Sequence, residues 1–338
     1  MVSREGFAMT DALIAEALTL AGDDTQLRER AQVGGGSISQ ALRLRTARGE
    51  YLLKLGGRGL PGFFAAEARG LALLASAGAL RVPAVLACRD ALHDAERGAE
   101  DRGSRIEDRE SQSSIPTARS SEARNARLAL DTGFLLIEWL AAPPGADRSR
   151  AHALLGAGLA AMHRAGAPAY GLDHDNYIGA TPQPNGSMPS WLEFFRERRL
   201  RHQADLAARN GRLPPARARR VERLLARLGE WIDDAQAQPA LLHGDLWGGN
   251  VIVGPGGAPA LIDPAAYYGD READLAMTRL FGGFAPSFYA AYQQAWPLPP
   301  GWQARVGLYN LYHLLNHLNL FGEGYGAEVD AMLATYAG

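Results

Sequence analysis

LLHGDLWGGNVIV, residues 241–253, places a histidine, an aspartate, an asparagine and three glycines between two apolar runs. A simple reversal between strands needs none of these polar groups, so the stretch reads as a rigid polar loop held between short strands. Immediately beyond it, ALIDP at 260–264 repeats the arrangement on a smaller scale, an apolar strand ending in an aspartate. Two acidic side chains, Asp245 and Asp263, and one carboxamide, Asn250, are therefore expected at the ends of neighbouring short strands.

His243, Asp245 and Asn250 carry the spacing of the protein-kinase catalytic loop: histidine, one residue, aspartate, four residues, asparagine. The aspartate of such a loop orients a hydroxyl and takes its proton, and the asparagine oxygen is a hard ligand suited to Mg²⁺. Asp263 is the candidate second magnesium ligand, because that ion takes one or two protein carboxylates and completes its octahedron with phosphate and water. Pro264-Ala265 follow it where a regulated protein kinase has Phe-Gly, which argues against an activation-loop flip.

Further out, AQVGGGSISQALRLRTARGEYLLKL at 31–55 alternates apolar and polar residues between glycine-bearing turns, predicting three antiparallel strands. Gly34, Gly35 and Gly36 can bring backbone amides close to phosphates, with Ser37 adding a hydroxyl; taken alone, GGGS reads first as a plain hairpin turn. Lys54 lies between leucines, where burial without a partner would be costly. Glu67, in the helix predicted over 62–80, supplies that partner, and the pair can direct the ammonium at α- and β-phosphates. A surface ion pair is the competing reading.

The rest of the chain sets the frame. RVPAVLACR and GFLLIEW read as strands, and the residues after 140 as mostly helical, over about 149–165, 188–209, 214–234, 270–296 and 301–336. The expected fold is α+β, two-lobed and protein-kinase-like: a small antiparallel-sheet, nucleotide-binding lobe at 1–139 and a larger helical, acceptor-binding lobe at 140–338, with a ligand cleft where they meet. Residues 90–132, rich in Arg, Glu, Asp and Ser, are expected to form a disordered insertion. The N-terminal segment reads as an amphipathic helix capped near Thr10.

A formal net charge of -2 over 338 residues offers no broad basic field for nucleic acid or anionic lipid, so a small partner is expected. A single cysteine, Cys88, excludes an intrachain disulfide and fits a cytoplasmic setting. No signal-peptide core and no span of bilayer length is visible. His313 and His317 stand four apart as in helical zinc sites, but with no third ligand they read as helix packing or a cleft wall. Tyr267, Tyr268 and the Phe281–Phe284 cluster read as core, and Arg196, Arg198, Arg199 and Arg201 as a solvated helix face.

VGGGSIS (33–39), LLK (52–54), FAAEARGL (64–71), YGLDHDNYIGATPQPNG (170–186), WLEFFRERRLRHQ (191–203), HGDLWGGN (243–250), IDPAAYYGDREADLAMTRLFGGF (262–284) and LYNLYHLLNHLNLFGEGY (308–325) together resemble the fructosamine kinase, or ketosamine kinase, family. That family is a branch of the kinase-like fold related to aminoglycoside phosphotransferases, and the resemblance spans both expected lobes. It implies ATP- and Mg²⁺-dependent phosphorylation of a sugar hydroxyl, O3, on ketosamines such as ribulosamines, erythrulosamines or fructosamines, free or protein-bound, in protein deglycation and repair. It also implies Asp245 as base, Asn250 and Asp263 on Mg²⁺, Lys54 with Glu67 on the phosphates, and Glu138, Trp139 and Leu140 as the adenine-facing linker. Trp247 packs on the sugar or fixes the loop; Asp175, Asn176 and Tyr177 face the acceptor or form an aspartate-stabilised turn. His243 and Asp274 are expected to support the loop backbone. Gly248 departs from the serine common in HGDLWSGN. A kinase of another small hydroxyl compound (an aminoglycoside, choline or a thio-sugar) and a nucleotide-binding pseudokinase scaffold are the alternative readings.

Overall fold

The computed structural model describes residues 4–34, 39–91, 131–141, 143, 145 and 147–338. Gly35, Gly36 and Ser37, and nearly all of the 90–132 insertion, lie outside the described residues. The chain divides into two compact units, 1–68 with 84–139 and 69–83 with 140–338. Residues 69–83, expected with the first lobe, group with the second, because Leu74 is buried among Leu155, Leu159, Leu241 and Leu261 and Leu80 and Val82 pack against the same cluster.

The first unit is a five-stranded antiparallel sheet in the order β1-β2-β3-β5-β4, from β1 (Glu29–Val33), β2 (Gln40–Arg45), β3 (Glu50–Gly56), β4 (Val85–Arg89) and β5 (Gly133–Glu138). In β2 the alternation of QALRLR turns Leu42 and Leu44 inward and the polar residues away. β5 lies between β3 and β4, and its run FLLI is buried throughout, so it shows no alternation. Helix α1 (Arg4–Leu20) packs Leu13, Ile14, Ala17 and Leu18 into the core with Leu42, Leu44, Leu53, Phe134 and Leu136. Thr10 lies inside α1 and does not cap it: the helix begins at least six residues earlier than its apolar periodicity does. α2 (Phe63–Ser76) follows β3.

The second unit is mainly helical: α3 (Arg148–His163), α4 (Trp191–Phe194), a π-helical stretch Phe195–Arg201 leading into α5 (His202–Arg209), α6 (Pro215–Arg227), α7 (Glu272–Leu280), α8 (Pro286–Ala295), α9 (Val306–Phe321) and α10 (Gly326–Ala337). Asp147 caps α3 by accepting the Arg150 amide at 3.0 Å, and Pro215 opens α6 where its missing N–H costs nothing. The helix expected over 270–296 is broken between Leu280 and Pro286 by Gly282 and Gly283, both at positive φ.

Three two-stranded ribbons complete this unit: β6 (Asn176–Ile178) with β7 (Thr181–Gln183), β8 (Ala240–Leu242) with β11 (Tyr267–Gly269), and β9 (Val251–Val253) with β10 (Pro259–Leu261). The strands flanking the 241–253 motif do not pair with each other. Each pairs with a later strand, so the polar loop bridges two ribbons. Arg199, expected on a solvated face, is fully buried; its guanidinium lies 3.9 Å from the Tyr267 ring centre and donates to Asn185 Oδ1 and Pro184 O, both at 2.7 Å.

Candidate active site

Gly244 takes φ +82°, and a Cβ there would lie 2.1 Å from the Ala265 carbonyl oxygen, so only glycine fits. The turn allows Asp274, in the first turn of α7, to accept the backbone amides of His243 at 2.7 Å and Gly244 at 2.9 Å. The same carboxylate meets His163 Nε2 at 3.1 Å, and these donors hold it below the usual carboxylate range despite burial.

His243 is fully buried. Its Nε2 donates to the Ile262 carbonyl at 2.9 Å and its Nδ1 accepts the Asp245 amide at 3.3 Å, which sets one neutral tautomer. Burial lowers its pKa, so the ring is a neutral brace between the loop and the segment leading to Asp263.

Asn250 Nδ2 donates to the Asp245 carbonyl at 2.8 Å and to Asp245 Oδ2 at 3.1 Å. With the amide nitrogen turned to Asp245, Oδ1 is the atom left for a ligand. The β9–β10 register carries the pattern onward: Ile262 N donates to Asn250 O at 3.1 Å, so Asp263 follows one residue beyond Asn250's cross-strand neighbour. Asp263 is the one non-glycine residue at positive φ among those described, at +55°, a strained state that asparagine and aspartate tolerate best. Burial, with Asp263 and Asp274 adding to it, pushes the Asp245 carboxyl up to about 7, against the lowering effect of the Asn250 hydrogen bond.

Asn250 and Asp263 supply one amide oxygen and one carboxylate, hard donors of the kind Mg²⁺ takes when the remaining positions belong to phosphate and water. No cluster of three His, Cys, Asp or Glu suited to a metal occurs among the described residues. The donor set therefore fits an ion that arrives with a nucleotide rather than one caged by protein.

The remaining glycines answer why the loop needs three. A Cβ on Gly249 would lie 2.2 Å from the Trp247 indole, so its absence seats that ring over the loop. Gly248 lies against Gly282 and Gly283, where a Cβ would make contacts at 3.4 Å.

In the first unit, Lys54 Nζ meets Glu67 Oε1 at 2.5 Å with both side chains largely buried, so this pair is not a surface ion pair. β3 carries the lysine and α2 the glutamate. Glu138 ends β5; its amide donates to the Ala84 carbonyl at 2.9 Å, and the Trp139 amide donates to Glu50 O at 3.2 Å. The unit boundary falls between Trp139 and Leu140. Gly34 is exposed with open space about its α-carbon.

Asp175 and Asn176 have other engagements. Asp175 Oδ1 accepts the Asn185 amide at 2.8 Å. Asn176 is buried, donates to Ala266 O at 2.8 Å, and accepts from Gln183 Nε2 and Asn185 Nδ2, both at 2.7 Å. The geometry is that of a clasp on the β6–β7 hairpin, with Asn176's polar atoms turned to the protein; Tyr177 between β-ribbon neighbours is half-buried. Phe281, read as core, is exposed: the Gly282-Gly283 turn ends α7 directly after it, and its ring meets Trp247 and His317 without being covered. Its neighbourhood gave no sequence signal beyond the two glycines.

A sequence profile described as fructosamine kinase matches residues 9–337. A Synechocystis sp. protein assigned as a ketoamine kinase is 39% identical over 92% of this chain and 91% of its own. The chloroplastic protein-ribulosamine 3-kinase of Arabidopsis thaliana is 33% identical over 97% of this chain and 89% of its own. Among solved structures, a Thermobifida fusca protein assigned as a fructosamine-3-kinase superposes with a TM-score of 0.75 at 30% identity, covering 95% of this chain and 97% of that one. The aminoglycoside phosphotransferase APH(4)-Ia, at 16% identity and a TM-score of 0.60 over 98% of this chain and all of its own, shares the fold.

The fold is thus kinase-like, α+β, and the protein is a phosphotransferase with a hydroxyl acceptor. Within that class, the chain belongs to the fructosamine kinase family. No described helix is long and apolar enough to cross a membrane.

Proposed function

We propose that this protein transfers the γ-phosphoryl group of ATP to O3 of a ketosamine sugar, with Asp245 as the base. The observation that carries the reading is the Asp245–Asn250–Asp263 arrangement: a carboxylate held by a carboxamide whose oxygen stays available, beside a second carboxylate in a strained backbone state. Asp245 accepts the proton of the sugar hydroxyl as that oxygen bonds to the γ-phosphorus. The bond from phosphorus to the β–γ bridging oxygen breaks, and ADP leaves with its electron pair. Positioning and charge neutralisation supply the acceleration, so no covalent enzyme intermediate is needed.

Lys54, oriented by Glu67, neutralises the α- and β-phosphates, and Glu138, Trp139 and Leu140 present linker backbone to the adenine. Asn250 and Asp263 hold Mg²⁺, which when bound offsets the charge of the phosphate oxygens. Trp247, seated on Gly249, offers an indole face to the sugar. His243 and Asp274 hold the loop that carries the base. Asp175, Asn176 and Tyr177 support the acceptor side through the β6–β7 hairpin.

The acceptor chemistry explains a repair role. Enolisation of a 3-phosphorylated ketosamine toward C1 makes the C3 phosphate allylic; it departs as inorganic phosphate, and hydrolysis of the remaining imine frees the amine. The test is an acceptor series of ribulosamine, erythrulosamine and fructosamine adducts set against an aminoglycoside and choline, with ³¹P and ¹³C NMR of the product. Phosphorus coupling to C3 of a ketosamine is expected. Turnover of only the last two acceptors, or coupling to another carbon, would overturn the substrate or the position respectively.

A further inference from the structure

Beside the loop that carries Asp245, Trp247 stands at one end of a row of rings whose other four members phosphotransfer does not use. Its indole meets Phe281 edge-on at 6.4 Å between centroids, and Phe281 lies 5.1 Å from His317. His317 in turn lies 5.4 Å from Phe321 and 5.0 Å from Tyr325. Trp247 is 37% exposed, Phe281 43% and Phe321 52%. Seven large hydrophobic residues are exposed among those described, and three of them fall in this row. Single exposed apolar side chains are ordinary on a soluble protein, whereas a contiguous group marks a binding surface.

The row is built, not left over. Gly282 and Gly283, at φ +71° and +96°, end α7 and turn Phe281 outward. Gly249 seats Trp247. His317 Nδ1 donates to the His313 carbonyl at 2.8 Å, which fixes the ring on α9, and burial lowers its pKa so that it presents a neutral face. With no carboxylate or ammonium among its five members, the row suits hydrocarbon, and its π faces suit an attached cation.

We propose that this row is the track for the amine-side arm of the acceptor, and that Phe281 and Phe321 select amines with an extended alkyl or aryl arm. The inference rests on the ketosamine reading given above. With O3 at Asp245, the nitrogen stands two carbons further along the sugar, so its substituent leads away from the base. It carries a secondary ammonium followed by hydrocarbon, which matches a neutral aromatic row that begins two residues beyond the base.

The experiment compares the ketosamines formed by rearrangement of one aldose, ribose, with methylamine, hexylamine and phenethylamine. The native protein should favour the two longer arms by about tenfold in kcat/KM, the discrimination typical of apolar contacts. Phe281→Ala and Phe321→Ala should each erode that preference through KM, and Phe281→Tyr should retain it. A native protein that phosphorylates all three adducts equally, or alanine variants that lower all three by one factor, would overturn the track while leaving the ketosamine reading intact. A native protein that phosphorylates none of them would overturn both.

Discussion

Asn250 donates from one amide nitrogen to both the carbonyl and the carboxylate of Asp245, at 2.8 and 3.1 Å. The hydrogen bond aims the proposed base and at the same time orients the opposite atom of the carboxamide, so the two functions of the loop are mechanically linked. A substitution at either residue should therefore disturb the other.

Replacing the base separates chemistry from binding. Asp245→Asn keeps an acceptor for the Asn250 amide but removes the proton acceptor, so kcat should fall by about 10²–10⁴-fold, the usual contribution of a positioned acid or base. ATP affinity measured by calorimetry should change little. Full turnover in this variant would remove Asp245 from its role.

The same carboxylate imposes a pH-dependent cost on the folded protein. Its folded pKa, about 7, lies above its ordinary 3.8, so the neutral form is favoured on folding. That contribution is fully present below about pH 4 and is lost as pH rises through 7. In chelator and without nucleotide, Asp245→Asn should raise the melting midpoint at pH 8 by roughly 2–4 °C, with the gain shrinking toward pH 4. A gain that is constant across this range would contradict the assigned shift.

Asp274 tests the loop anchor. Asp274→Ala leaves the His243 and Gly244 amides without their acceptor inside the core and His163 Nε2 without its partner, at a cost of about 2–4 kcal/mol. Denaturant unfolding should show that loss, accompanied by reduced kcat. Unchanged stability would mean that the loop is held elsewhere.

The two loop glycines should respond oppositely. Gly244→Ala forces a Cβ to 2.1 Å from the Ala265 oxygen at a positive φ and should cost roughly 2–6 kcal/mol. Gly248→Ser adds a Cβ at 3.4 Å and should shift stability by less than about 0.5 kcal/mol. Equal melting midpoints for the two variants would refute this contrast.

What the sequence alone determined was whatever a few consecutive residues impose. The His243–Asp245–Asn250 spacing on one loop, the alternation in QALRLR, the buried run FLLI and the lysine among leucines at 54 each describe their own surroundings. Tertiary structure decided what depends on distant partners. β8 and β9 pair with β11 and β10 instead of each other, Arg199 is buried against Tyr267, Asn176 faces the protein, and Phe281 is exposed beside a two-glycine turn. The physical reason is that periodicity tells which side of an element is apolar, but exposure is set by what packs against it. A strand's partner, likewise, is chosen by backbone hydrogen bonds that a side-chain pattern does not encode.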